Sequence, residues 1–222
     1  MLDYNYRGVS EKEEDMGLFN KKETDEQIAN RIAKNAGHVV AMFRDYFNTP
    51  KGFDARTALI FTAALAGVAC HEAVKAEKGT FAVITDKAGR NYYFGDDLNK
   101  YLLEGNLNVV GFCTVVSGVL REDVIAIVTA FTSSVGSDGL TVCGFDPKTL
   151  YNQVYNCWEG IYQNMTSKYC KSPSEWPVLF GIVVQNILMI AIQAGAPKDE
   201  AGKIAIESAV AVSKMDKDSF LN

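Results

Sequence analysis

The sequence predicts a mainly α fold of the α+β class: a multi-helix globular bundle around a central apolar helix, with one β-hairpin near 80–94. Three observations predict it. Through most of the chain, apolar residues recur three and four positions apart, the period of a helix with one buried face. Only Thr80–Phe94 departs from that period, with β-branched and aromatic residues on either side of the polar turn Asp86-Lys87-Ala88-Gly89. And the stretch from Pro177 to Pro197 holds no charged residue, as a helix enclosed on all sides would.

Taken in order, residues 1–23 read as a flexible charged arm, in which Met16-Gly17-Leu18-Phe19 resembles a second start. Thr24 opens the first helix, with Gln27 at capping-box spacing, and Asn48-Thr49-Pro50 ends it. Asp54 caps a second helix that reaches about Lys78. Its middle, Ala58–Cys70, is apolar all round and rich in alanine, and Gly79 is expected to supply a left-handed cap. After the hairpin, Gly95-Asp96 should cap a short helix closed by Gly105. Further apolar segments run from Leu107 to Leu120 and from Glu122 to about Ser133. Leu140–Phe145 has the composition of a short third strand. Asp146-Pro147 is a helix start, because Asp caps and Pro suits the first turn. The stripe Leu150, Tyr151, Val154, Tyr155, Trp158, Ile161, Tyr162, Met165 follows. Pro197 begins a last helix, and the tail from Lys214 is polar. Residues 24–222 are therefore expected to form a single globular helical domain, with a weak seam near 134–146.

Hydrophobic residues make up 48% and charged ones 22% of the chain, and the net charge is -5. That composition belongs to a folded protein. Lys21-Lys22 is the densest basic pair, so a nucleic-acid partner is not expected. Gln185, Asn186 and Gln193 interrupt the charge-free stretch, which argues for a core helix and against a membrane partner. Five cysteines, with no Cys-x-x-Cys, suit reduced thiols in the cytoplasm.

Chemistry-bearing patterns are sparse. The two histidines, His38 and His71, form no His-x-x-x-His and no Glu-x-x-His pair, so neither a metal nor another cofactor is expected. Phosphate-binding glycine loops and a nucleophile elbow are missing. Cys70-His71-Glu72 is not a relay, since neighbours on a helix point about 100° apart. His71 is the one candidate for a general base, given a distant partner. Two clusters could bind a ligand or partner. Tyr92, Tyr93, Asp96, Asp97 and Asn99 gather rings, carboxylates and an amide around a strand-to-helix turn. Gln185 and Asn186 place amides inside an apolar helix, where they must find partners.

These features fit a non-enzymatic cytoplasmic interaction or regulatory domain acting as a homo-oligomer, most simply a homodimer through the hairpin. One alternative is a helical protein that binds a small apolar ligand beside Trp158, Tyr162 and the Gln185-Asn186 pair. Another is an enzyme whose site assembles only in three dimensions, with His71 beside a carboxylate or thiol.

Overall fold

A computed structural model of the chain describes residues 23–221. Apart from Glu23, the expected arm and the start at Met16 lie outside the described residues. Helix accounts for 70% of the structure, and the fold class is the one the periodicity predicts.

Helix α1 (Asp25–Tyr46) begins with the expected capping box: Thr24 accepts from the Gln27 amide at 3.2 Å, and the Gln27 side chain accepts from the Thr24 amide at 2.9 Å. A tight turn of two-residue strands, β1 (Asn48–Thr49) and β2 (Gly52–Phe53), reverses the chain at Pro50. Helix α2 (Ala55–Ala76) is capped by Asp54 and is buried without interruption from Ala58 to His71. The left-handed residue at its end is Lys78, not Gly79. Gly79 is small for another reason: a Cβ there would stand 2.7 Å from the Val74 side chain.

The hairpin follows as β3 (Ala82–Thr85) and β4 (Asn91–Phe94), with Ala82 opposite Phe94 and Thr85 opposite Asn91. Gly89 turns it at φ +78°. Leu140–Phe145 does not extend this sheet, because Val142 and Phe145 bond to each other across a local turn. Beyond β4 lies the chain's C-terminal segment: Tyr93 donates to the Lys214 carbonyl at 2.8 Å, and Tyr92 bridges Met215.

Helix α3 (Asp96–Asn99) runs into a wide turn, Lys100–Glu104. Gly95 is its cap residue and Asp96 its first residue, so Asp96 does not cap as expected. Helices α4 (Val109–Ser117) and α5 (Arg121–Ser134) come next, then α6 (Pro147–Ile161), capped by Asp146 as predicted. A wide turn, Tyr162–Thr166, and short α7 (Ser167–Tyr169) lead to a 3-10 turn, Pro173–Glu175. Helices α8 (Trp176–Gln193), α9 (Lys198–Ser213) and α10 (Lys217–Phe220) complete the fold.

The charge-free stretch shares the centre of the bundle with α2, which is the more enclosed of the two. α8 packs along α2 and leaves Met189 exposed. On its other side α2 meets α9 so closely that a Cβ on Gly67 would lie 2.5 Å from the Ala209 carbonyl oxygen. Both apolar helices are long enough to cross a membrane, but 89% and 72% of their apolar windows are buried inside the protein. The tail is not a solvated one. Met215, Asp216 and Phe220 are buried, with the Phe220 ring 5.4 Å from Tyr92 and 5.5 Å from Tyr151.

Candidate ligand-binding cleft

Three elements converge on an open cleft of 580 Å³ lined by Glu72, Lys75, Ala76, Tyr155, Trp158, Glu159, Tyr162 and Trp176. Each arrives for a sequence reason. The alanine-rich part of α2 ends near Cys70, and the charged residues that follow, Glu72 and Lys75, sit one turn apart where the helix meets solvent. Tyr155 and Trp158 belong to α6 and Tyr162 begins the wide turn that continues it, the 3–4 spacing keeping all three on one face. Trp176 opens α8 after the Pro173 turn. The Trp158 ring lies 5.3 Å from Tyr162 and 5.7 Å from Trp176, and Tyr162 meets Trp176 edge-on at 5.1 Å. Tilted and edge-to-face pairs at these separations attract.

A smaller cleft of 400 Å³ adjoins it, lined by Tyr162, Thr166, Ser167, Cys170, Lys171, Ser172, Pro173 and Trp176. Tyr162 and Trp176 line both, so the two clefts adjoin across these rings.

Ion pairs set the charge of the larger cleft. Lys75 Nζ lies 3.7 Å from Glu72 Oε1 and 3.3 Å from Asp216 Oδ1. Lys217 Nζ lies 2.7 Å from Glu159 Oε1 and 5.2 Å over the Tyr155 ring. Behind this rim His71 is 1% exposed. Its Nδ1 is 3.1 Å from the Ser213 carbonyl oxygen, which can only accept, so that nitrogen carries a proton. Nε2 faces Asp216 Oδ1 at 3.5 Å, close enough for electrostatic attraction but longer than a good hydrogen bond. His71 beside it, with Lys75, holds the Asp216 carboxyl well below the usual carboxylate range. Asp216 also caps α10 by accepting from the Asp218 amide at 3.2 Å.

His71 has therefore met a carboxylate, but not in a cleft. Phe81 stacks on its ring at 4.9 Å and Tyr93 closes it edge-on at 5.1 Å. A general base must reach the proton it removes, and this imidazole is walled in. The arrangement joins α2 to the start of α10.

The residues around the strand-to-helix turn separate. Tyr92 is fully buried, and its hydroxyl has no hydrogen-bond partner among the described residues. Tyr93 packs on His71. Asp97 accepts from the Thr80 amide at 2.8 Å and its hydroxyl at 3.1 Å, Asp96 is exposed, and Asn99 Oδ1 meets Lys214 Nζ at 3.4 Å. Gln185 and Asn186 are half-buried and line neither cleft, and Asn186 donates to the Ile182 carbonyl of its own helix at 2.8 Å. Trp158 and Tyr162 thus line a cleft without the amide pair expected beside them. Sequence reading met Glu72 only in a relay it rejected, and it missed Lys75, Glu159 and Asp216. Only the i, i+4 step from Tyr155 to Glu159 placed any of them near the aromatic stripe.

The five cysteines are free thiols. Burial pushes Cys113, Cys143 and Cys170 up to about 12, so little nucleophilic thiolate forms near neutrality. Among the described residues, no three His, Cys, Asp or Glu side chains gather as a metal site. Protein-family models, curated proteins and solved structures give no match to the chain.

Proposed function

We propose that this chain is a non-enzymatic binding protein whose aromatic cleft takes a small organic cation. One observation carries the reading: both tryptophans of the chain, with Tyr155 and Tyr162, stand beside the Glu72 and Glu159 carboxylates in one open cleft. Ring faces and carboxylates both attract a cation, and the attraction grows as the site is desolvated. Lys217, poised over Tyr155 and paired with Glu159, is an example supplied by the protein itself. Lys75 does not reverse the field, since Asp216 faces it. The net charge of -5 favours the same ligands. The cleft's volume falls in the range of small-molecule sites.

Intrinsic fluorescence tests this directly, because Trp158 and Trp176 are the only tryptophans. Choline should change the emission saturably. Its neutral isostere 3,3-dimethylbutanol should bind about tenfold more weakly, as loss of one cation–π contact implies. Glu159→Gln should weaken choline alone. Equal responses to both probes would return the reading to a small apolar ligand, and no response to either would end it.

We also propose that the chain works as a cytoplasmic homodimer through the hairpin. The free thiols suit a reducing compartment. Strand β3 is exposed along its length, with Val83 at 50% and Ile84 at 47%, and an open apolar edge invites pairing. Light scattering after size-exclusion chromatography should give twice the chain mass, and Ile84→Asp should give folded monomers. A monomer mass for the unaltered chain would sink the proposal.

A further inference from the structure

We infer that the Lys217 ammonium is the larger cleft's own cation, and that an external cation binds by displacing it. Lys217 thereby sets how strongly a ligand must bind to enter. The inference rests on the cation reading of the cleft.

The first support is that Lys217 already makes both contacts the site would offer such a ligand. Its Nζ donates to Glu159 Oε1 at 2.7 Å and stands 5.2 Å over the Tyr155 ring. Glu159 and Tyr155 both line the cleft. Two cations sharing this carboxylate and this ring would stand close enough to repel each other.

The second support is cover. Tyr155 lines an open cleft and yet is 6% exposed. Tyr151 stacks on its ring at 5.5 Å, and Lys217 stands over it. A cation is attracted through the face of a ring, so a ligand gains the Tyr155 ring by taking the place of Lys217.

The third is that the side chain can leave while its helix stays. Asp216 caps α10 through the Asp218 amide, and Phe220 holds it against the Tyr92 and Tyr151 rings. The Lys217 side chain is 43% exposed and that of Glu159 51%. An ion pair this open holds weakly, and the flexible lysine stem turns into water. Lys75, the other ammonium at this cleft, stands between Glu72 and the buried Asp216 and belongs to the wall.

The test uses the full chain, with choline as the probe and tryptophan emission as the readout. Lys217→Met should bind choline about fivefold more tightly, the factor lost by a site that stands free about a fifth of the time. In a Glu159→Gln background the lysine has already lost its ion pair, and the same change should gain about twofold at most. An equal gain in both backgrounds would mean that Lys217 acts only through its long-range field, and would overturn the inference. So would an unchanged or weaker affinity in Lys217→Met. The cation reading survives either result. Choline silence in every one of these proteins would end that reading and the inference together. A second readout follows the lysine itself. Its bond to Glu159 holds the Lys217 ammonium above its ordinary pKa, so saturating choline should speed its acetylation by an amine-reactive ester, measured by mass spectrometry. Unchanged labelling of Lys217 with choline bound would refute displacement.

Discussion

Lys214 sets its ammonium 3.4 Å from the side-chain oxygen of Asn99, under the Phe94 ring at 5.2 Å, with 3% of the residue exposed. Burial lowers its pKa from 10.5 to about 8. The unfolded chain holds this proton up to its ordinary value, so the penalty of burying the charge is full below pH 8. Between that pH and 10.5 the folded lysine is neutral while the unfolded one is charged, and stability from this group rises with pH. Lys214→Met should therefore stabilise the protein by about 1–3 kcal/mol at pH 7, less than the full shift implies because the Asn99 contact is lost. The gain should shrink toward zero across the alkaline window. Urea unfolding of both proteins from pH 7 to 10 measures it.

Asp216 obeys the opposite sign. Its carboxyl is held low in the folded state, so its contribution is present above the ordinary carboxylate value and is lost as pH falls through the folded one. Asp216→Asn removes a buried carboxylate that faces His71 Nε2, pairs with Lys75 and caps α10, and should cost about 1–3 kcal/mol at neutral pH. The deficit should narrow by about pH 3, where the unfolded carboxyl is protonated. A constant deficit at both pH values would show that only the α10 cap was lost.

Gly67 and Gly37 should respond to alanine in opposite directions. At Gly67 the new methyl meets the Ala209 carbonyl oxygen at 2.5 Å and the Ser213 nitrogen at 2.9 Å, both backbone atoms of α9. Overpacking of this kind costs about 1–3 kcal/mol. Gly37 in α1 has nothing within 4 Å of its Cβ position, so Gly37→Ala should gain about 0.5–1 kcal/mol from helix propensity. Thermal midpoints of the two variants decide the matter.

Trp158 is 3% exposed and touches Tyr162, Trp176 and Phe180. Trp158→Ala should destabilise by about 3–5 kcal/mol. Trp158→Phe should keep most of that stability, leaving Trp176 as the sole reporter on the clefts. An unchanged melting midpoint in the alanine variant would mean that the ring packs against nothing it stabilises.

What the sequence disclosed was local. Thr24 with Gln27, Asp54, and Asp146 with Pro147 each mark a helix start through contacts three or four residues long. The hairpin shows in its change of period. Tertiary pairing left no such trace. The tail from Lys214 reads only as polar because its charges are visible in the sequence and its destination is not. Folded back, it supplies a neighbour for β4, a carboxylate facing His71 and a ring for the core. Leu140–Phe145 had a strand's composition but met no partner strand. The cleft needed Trp176 brought to α6 and Glu72 brought to both, and no spacing along the chain encodes that convergence. Lys78, not Gly79, took the left-handed conformation, and Gly79 is kept small by the Val74 side chain.

The enclosure of α2 has a consequence for synthesis. Its principal partners, α8 and α9, follow in sequence after most of the remaining chain. At roughly 5–20 residues per second, a ribosome takes about 7 to about 27 seconds to complete them after α2 has been made. Throughout that interval α2 lies bare on a nascent chain, long and apolar enough to be taken for a membrane segment. How long α2 stays bare during synthesis is thus set by the order of the elements along the chain, and not by the strength of the finished core.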